Sequence, residues 1–132
     1  MKLVFDTNIF IAAYFNRKSA SARIIDLCLK NKHKLIFSSR LRKEVKLILN
    51  NVKAEKEFRK KIRSLFMKAS KVKPTQEVFT VKEDPEDNKF LECALEGKAD
   101  YLITSDRHLL ELGEFAQTKI RKPTQFLKLQ YT

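Results

Sequence analysis

The chain has 132 residues, 43% of them hydrophobic, enough for one domain with a real core. Its 28 Lys and Arg against 16 Asp and Glu leave a net charge of +12, so a polyanion is the first partner to consider: nucleic acid before an anionic membrane surface, with solubility or ion-pair networks as the bland use of such a surface. The longest apolar run, IFIAAYF, is too short to span a bilayer, and two glycines, Gly97 and Gly113, allow neither a GxGxxG fingerprint nor a P-loop.

Strand and helix signals alternate along the chain. Residues 2–5 read as a strand buried on both faces and ended by Asp6. Residues 8–15 and 20–31 read as helices, the second with Ile24, Leu27 and Cys28 on one face. KLIFSS, 34–39, reads as a second strand whose serines cap the next helix, 40–50, with its stripe of Leu41, Val45, Ile48 and Leu49. Residues 54–69 form another helix, with Phe58, Ile62, Leu65, Phe66 and Ala69 inward. A short strand is expected near 77–81. Pro85 opens a helix that runs to a Gly97 C-cap. Residues 100–104 are a strand, 106–112 a short helix closed by Gly113, 118–121 an edge strand, and PTQFLKL a closing helical turn.

This alternation predicts a three-layer α/β/α sandwich around a mostly parallel sheet of about four to five strands. No repeat, low-complexity tract or linker divides residues 1–132, which read as a single domain. Cys28 and Cys93 fall on apolar helix faces as buried free thiols, which suits a reducing cytoplasm, and Met1 leads almost directly into a strand, so no signal peptide is expected.

Sites in open parallel sheets form outside the carboxyl ends of the strands, where Asp6 and Asp106 must lie. Either acid alone is as well explained by capping the helix that follows it. EDPEDNKFLECAL holds four acids in five residues. Asp84 before Pro85 is a ready N-cap, and Glu86 suits the first-turn dipole. Asp87 sits atop the stripe of Leu91, Ala94 and Leu95, which favours function over a second cap. Glu44 lies between Leu41 and Ile48 at the edge of a core-facing stripe. Its partner is Arg40 at i−4 or a metal ion. Four carboxylates converging at one sheet edge repel and raise one another's pKa. An all-oxygen set without His or Cys fits Mg²⁺ or Mn²⁺ and argues against zinc.

LVFDTNIFI, Glu44 after LIFSSRLRK, EDPEDNKFLECALEGKADYLITSD and IRKPTQFLKL together resemble the PIN domain, a nuclease family that includes VapC-type toxins, over almost the whole chain. The resemblance implies a Mg²⁺- or Mn²⁺-dependent ribonuclease with Asp6, Glu44, Asp87 and Asp106 as its acidic cluster. Asn8 and Thr104 match supporting positions. Asp84 is the ambiguous member, and Asp100 is given a structural role at the opposite edge. Some relatives are toxins of toxin–antitoxin pairs, others process RNA, and some do not cleave. The rival reading is a non-catalytic, basic RNA-binding or partner-binding module with structural acids. A phospho-acceptor receiver domain would want an acid pair where FDTN supplies one acid.

Residues 53–73 carry nine Lys or Arg and two Glu. Lys56, Arg59, Lys60 and Arg63 lie on the polar face of this helix, to grip RNA, to receive an acidic antitoxin tail, or as a solvated surface. His33 reads as a surface loop residue and His108 as a bystander near the cleft. Tyr14 and Phe15 fit either core or a dimer face. The partners expected are RNA, a cognate antitoxin and a second copy of the chain, without a membrane.

Overall fold

Leu3, Val4 and Phe5 alternate between two apolar layers, because successive side chains of a strand point to opposite faces. Leu3 and Phe5 join one buried cluster and Val4 the other. The computed structural model describes residues 1–131. It contains β1 (Lys2–Phe5), α1 (Asn8–Phe15), α2 (Ala20–Leu29), β2 (Lys34–Phe37), α3 (Ser39–Asn51), α4 (Lys56–Lys68) and β3 (Ser70–Lys71). A 3₁₀ turn (Pro85–Asp87) leads into α5 (Asn88–Gly97), β4 (Tyr101–Ile103), α6 (Arg107–Leu110), β5 (Glu114–Phe115), β6 (Thr118–Arg121) and α7 (Pro123–Tyr131).

The six strands form one sheet in the order β3-β2-β1-β4-β6-β5. Every pairing is parallel except β5 with β6. One face carries Leu3, Phe5, Leu35, Phe37, Tyr101 and Ile103 against α1, α2, α4 and α7. The other carries Val4, Ile36, Leu102 and Ile120 against α5 and α6. The three-layer architecture is thus as expected. α3 lies at the rim, sending Leu41 to the second cluster and Val45 and Leu49 to the first. Ser38 starts α3 by accepting the Leu41 N–H, as the serine signal predicts.

Several local expectations change. Residues 77–81 form no strand. Val78 and Val81 are buried, but the Val78 N–H donates to Glu92 and the Val81 backbone pairs with the Asn88 side-chain amide. Side-chain amide and carboxylate groups satisfy this backbone in place of a ladder. The strand beside β2 is instead β3, directly after α4. Residues 118–121 are not the edge, because the two-residue β5 covers them. Finally, Gly97 is the last residue of α5, and Lys98 takes the left-handed cap conformation with φ 51°. Gly97 is needed for close approach: a Cβ there would collide with Ile36 Cγ2 of β2. The closing helical turn is a full helix, α7. His33 is half-buried against Phe126 and shares a hydrogen bond with the Tyr131 hydroxyl.

No helix among the described residues is long and apolar enough to cross a membrane. Cys28 and Cys93 are buried and free, and burial pushes both thiols up to about 12, which makes them inert core residues. Tyr14 packs edge-on against Phe58, whereas its neighbour Phe15 is exposed.

Candidate metal centre at the sheet edge

β1 and β4 are parallel neighbours, so their carboxyl ends emerge side by side. Asp6 follows β1 and remains 4% exposed. One of its oxygens accepts the Asn8 N–H at 3.0 Å and the other the Thr104 hydroxyl at 2.8 Å. Burial holds the Asp6 carboxyl above its ordinary pKa, with Asp106 and Glu44 adding repulsion and the two hydrogen bonds opposing it. Thr104 is fully buried, and its oxygen also accepts the Asp106 N–H at 3.0 Å. A single hydroxyl therefore ties the tips of the two strands together. Asn8 contributes its backbone; its side chain is exposed.

Asp106 caps α6 by accepting the His108 N–H at 2.7 Å. It also faces Asp87. The Asp87 carboxyl is pushed up to about 7, first by burial and then by Asp106, with Asp84 and Asp6 adding to it. Asp87 is 8% exposed, and one of its buried oxygens has no hydrogen-bond partner. An unpartnered buried acceptor is costly and needs an explanation. Oxygens of Asp84, Asp87 and Asp106 lie within 4.8 Å of one another, a spacing that a single cation can bridge. Asp84 makes no capping bond, although it directly precedes the 3₁₀ turn. The capping role expected of it is absent because its carboxylate is turned toward the other two acids.

Glu44 is engaged by groups of the chain itself. One oxygen accepts the Thr7 hydroxyl at 3.0 Å, and the other meets the Lys89 ammonium at 2.5 Å. Arg40, one of the two partners considered for it, reaches Glu86 at 2.7 Å instead. Glu44 thus has a counter-charge from the chain itself. Lys89 is only 8% exposed, and sequence reasoning missed it. The one signal was a lysine inside the otherwise buried run Asn88–Leu91, a position that demands an acidic partner.

The basic helix α4 also divides. The Arg59 guanidinium donates to the carbonyls of Leu49 and Ala54 and to the Asn50 side chain, closing the end of α3. It is therefore committed to the fold. Arg63 is exposed and lines the groove between α3 and α4, while Lys56 and Lys60 are exposed outside it. Asp100 accepts the Lys2 N–H at 2.8 Å, a structural contact far from the carboxyl edge.

The sequence pattern of the PIN domain family matches residues 2–108. An uncharacterized protein of Methanocaldococcus jannaschii is 32% identical over 119 residues, which cover 86% of this chain and 76% of that protein. Among solved structures, the crystal structure of VapBC2 from Rickettsia felis bound to a DNA fragment from their promoter contains a chain that superposes with a TM-score of 0.62. That match covers 92% of this chain and 98% of the other at 15% identity, and it supports the shared fold.

Proposed function

The chain belongs to the PIN domain family, and from that premise we propose that it is a metal-dependent endoribonuclease hydrolysing RNA phosphodiester bonds. The observation that carries the reading is the unpartnered buried oxygen of Asp87 between Asp84 and Asp106. Like charges this close are unfavourable without a cation. The donors are all carboxylate oxygens, a set suited to Mg²⁺ or Mn²⁺. Asp84, Asp87 and Asp106 would hold the ion. When bound, such an ion lowers the pKa of a water and offsets charge on a phosphoryl group.

The chain's own residues set up the site in layers. Asp6 lies behind the three acids, and through Thr104 it holds the β4 tip, and with it Asp106, in register. Thr7 and Lys89 hold Glu44 at the flank. Without an ion, burial and the neighbouring acids hold the Asp87 carboxyl up at about 7, and a bound cation would favour its charged form. The basic exterior draws the polyanion toward this acidic cleft.

The test is purified protein with structured and single-stranded RNAs in Mn²⁺, Mg²⁺ or EDTA, with Asp87→Asn and Asp6→Asn as controls. Cleavage should require the ion and disappear in both variants. Cleavage that survives EDTA and both substitutions removes the mechanism. Tight RNA binding with no cleavage and no response to metal would instead favour the non-catalytic RNA-binding module.

The likeness to a chain of the VapBC2 structure supports a protein partner as well, with this chain as the toxin of a toxin–antitoxin pair and an acidic antitoxin opposite its +12 surface. A homodimer belongs to the same reading, with exposed Phe15 as the residue to truncate. An RNA-processing role without an antitoxin is the variant that co-purification from the native host would separate.

A further inference from the structure

Three concavities join end to end where α3 crosses the carboxyl ends of β2 and β3. The first, about 650 Å³, has Lys89, Arg40, Lys71 and Lys73 in its wall. The second, about 440 Å³, shares Ser39 and Lys71 with the first and adds Lys43 and Lys46. The third, about 230 Å³, shares Arg42 and Lys46 with the second and continues between α3 and α4 to Arg63. Its floor is apolar, made by Val45, Leu49, Ile62 and Phe66.

Two of the groove's cations are paired, Arg40 with Glu86 and Lys89 with Glu44. Lys43, Lys46, Arg63, Lys71 and Lys73 are exposed, and no acidic side chain pairs with any of them among the described residues. Glu92 is the one acid in the wall, and it already accepts the Val78 N–H. Five unpaired cations in a row repel one another, so the surface favours a polyanion. One end of the row is Lys89, whose ammonium holds Glu44 beside the acidic cluster.

We propose that this groove is the substrate path: single-stranded RNA lies along α3 from the α3–α4 cleft to Lys89, with phosphates on Lys46, Lys43, Lys71 and Lys73. The proposal rests on the nuclease reading and gives that site its approach. A single strand is favoured because it offers phosphates to the cationic wall and an unpaired base to the Arg42 guanidinium, which lies over the Phe66 ring at 4.6 Å. A duplex presents mainly phosphates and keeps its bases stacked away from that guanidinium. An acidic amphipathic helix from another protein would fit the third concavity but would leave unused the cations that continue toward Lys89. The path also differs from the outer face of α4, since Lys56 and Lys60 line none of the three concavities.

The experiment measures binding of a fluorescein-labelled single-stranded RNA, and of its duplex, in EDTA across a salt series. The proteins are wild type, Lys43→Ser/Lys46→Ser/Lys71→Ser and Lys56→Ser/Lys60→Ser, each checked for folding by its thermal melt. The three groove substitutions should make the slope of log affinity against log salt shallower by about 2, at roughly 0.7 per lost phosphate contact on a single strand. They should also raise the KM for cleavage while kcat holds, and the α4 pair should leave the slope as in wild type. The path is overturned if the slope is unchanged in the groove variant, if it falls only in the α4 variant, or if duplex binds as tightly as single strand. It is also overturned if poly-glutamate binds the wild type, loses affinity in the groove variant and fails to displace RNA, which makes the groove a protein-docking site. Groove-dependent binding with no metal-dependent cleavage by wild type supports the RNA path and removes the nuclease reading, so the two failures are distinguishable.

Discussion

Two sets of carboxylates sit at the same edge of the sheet and are treated in opposite ways. Glu44 has both oxygens engaged, one by the Thr7 hydroxyl and one by the Lys89 ammonium. Asp87 sits beside Asp84 and Asp106 with one buried oxygen unpartnered and its pKa pushed up to about 7. The residue chemistry is almost the same; the difference is the source of the counter-charge. Where the chain supplies a lysine, the carboxylate becomes a strut. Where it supplies two more acids, their charges go uncompensated and the Asp87 carboxyl is pushed up. The four expected acids therefore separate: Asp87 and Asp106 gather with Asp84, Asp6 lies behind them on Thr104, and Glu44 is paired within the chain.

The largest effect that tests this division is Asp87→Asn. Cleavage should fall by more than about 100-fold, because groups that merely orient a metal's ligands already cost 10–100-fold when removed. In EDTA the same variant should melt no lower than wild type, since it removes a repulsive charge, and Mg²⁺ should raise the melting temperature of wild type far more than that of the variant. A lower melting temperature in EDTA would make Asp87 a structural acid and erase the contrast with Glu44.

Lys89→Met should act in the opposite sense, on stability. It leaves Glu44 half-buried and uncompensated. The cost should be roughly 2–3 kcal/mol, below the 3–5 kcal/mol of a fully buried pair because Glu44 keeps some solvent. Glu44→Leu in the Lys89→Met background should recover much of the loss. Denaturant unfolding of the four proteins in this cycle measures the coupling directly. A coupling near zero would show that the pair is ornamental and would return Glu44 to the set of available ligands.

The regular elements were legible in the sequence because their signals are local. The apolar runs at 2–5 and 34–37, the 3.6-residue stripes of α3 and α4, and the serine before α3 each act within a few residues. Asp6 and Asp106 were likewise placed by strand-tip logic, since β1 and β4 are parallel neighbours. What could not be read depends on pairs distant in the chain. Glu44 and Lys89 are 45 positions apart and meet only in the folded chain, so local spacing offered Arg40 or a metal ion and never Lys89. Val78 and Val81 carry strand-like residues, but the Asn88 and Glu92 side chains satisfy their backbone without a ladder. Asp84 had every local mark of a cap, and the two neighbouring acids give its carboxylate a different setting.

A smaller effect follows from pH. The Asp87 pKa is raised in the folded chain from 3.8 to about 7, and Asp6 is raised as well. Between those limits the folded state binds more protons than the unfolded state, so stability falls as pH rises. The metal-free protein should therefore lose stability from about pH 4 to about pH 7 through this site, and saturating Mg²⁺ should flatten the loss. Asp87→Asn should show a shallower loss with no metal, the remainder coming from Asp6. Melting curves across this range, with EDTA and with Mg²⁺, give the comparison, and a wild-type profile that rises through the window in EDTA contradicts the uncompensated cluster.

The smallest effect concerns the exposed neighbour of the buried pair. Arg40 and Glu86 are 2.7 Å apart, but both side chains are more than half exposed. Arg40→Ala should cost only about 0.2–1 kcal/mol of stability, and less at high salt. The same arginine lines the first concavity of the groove, so its removal should weaken RNA binding more clearly than it weakens the fold. Lys89 and Arg40 then form a graded pair of cations at one mouth: truncating the first is felt in unfolding, truncating the second in the salt dependence of binding. If Arg40→Ala destabilises as much as Lys89→Met, burial is not what separates the strut from the surface pair, and the division between an internally neutralised flank and an open acidic centre has to be redrawn.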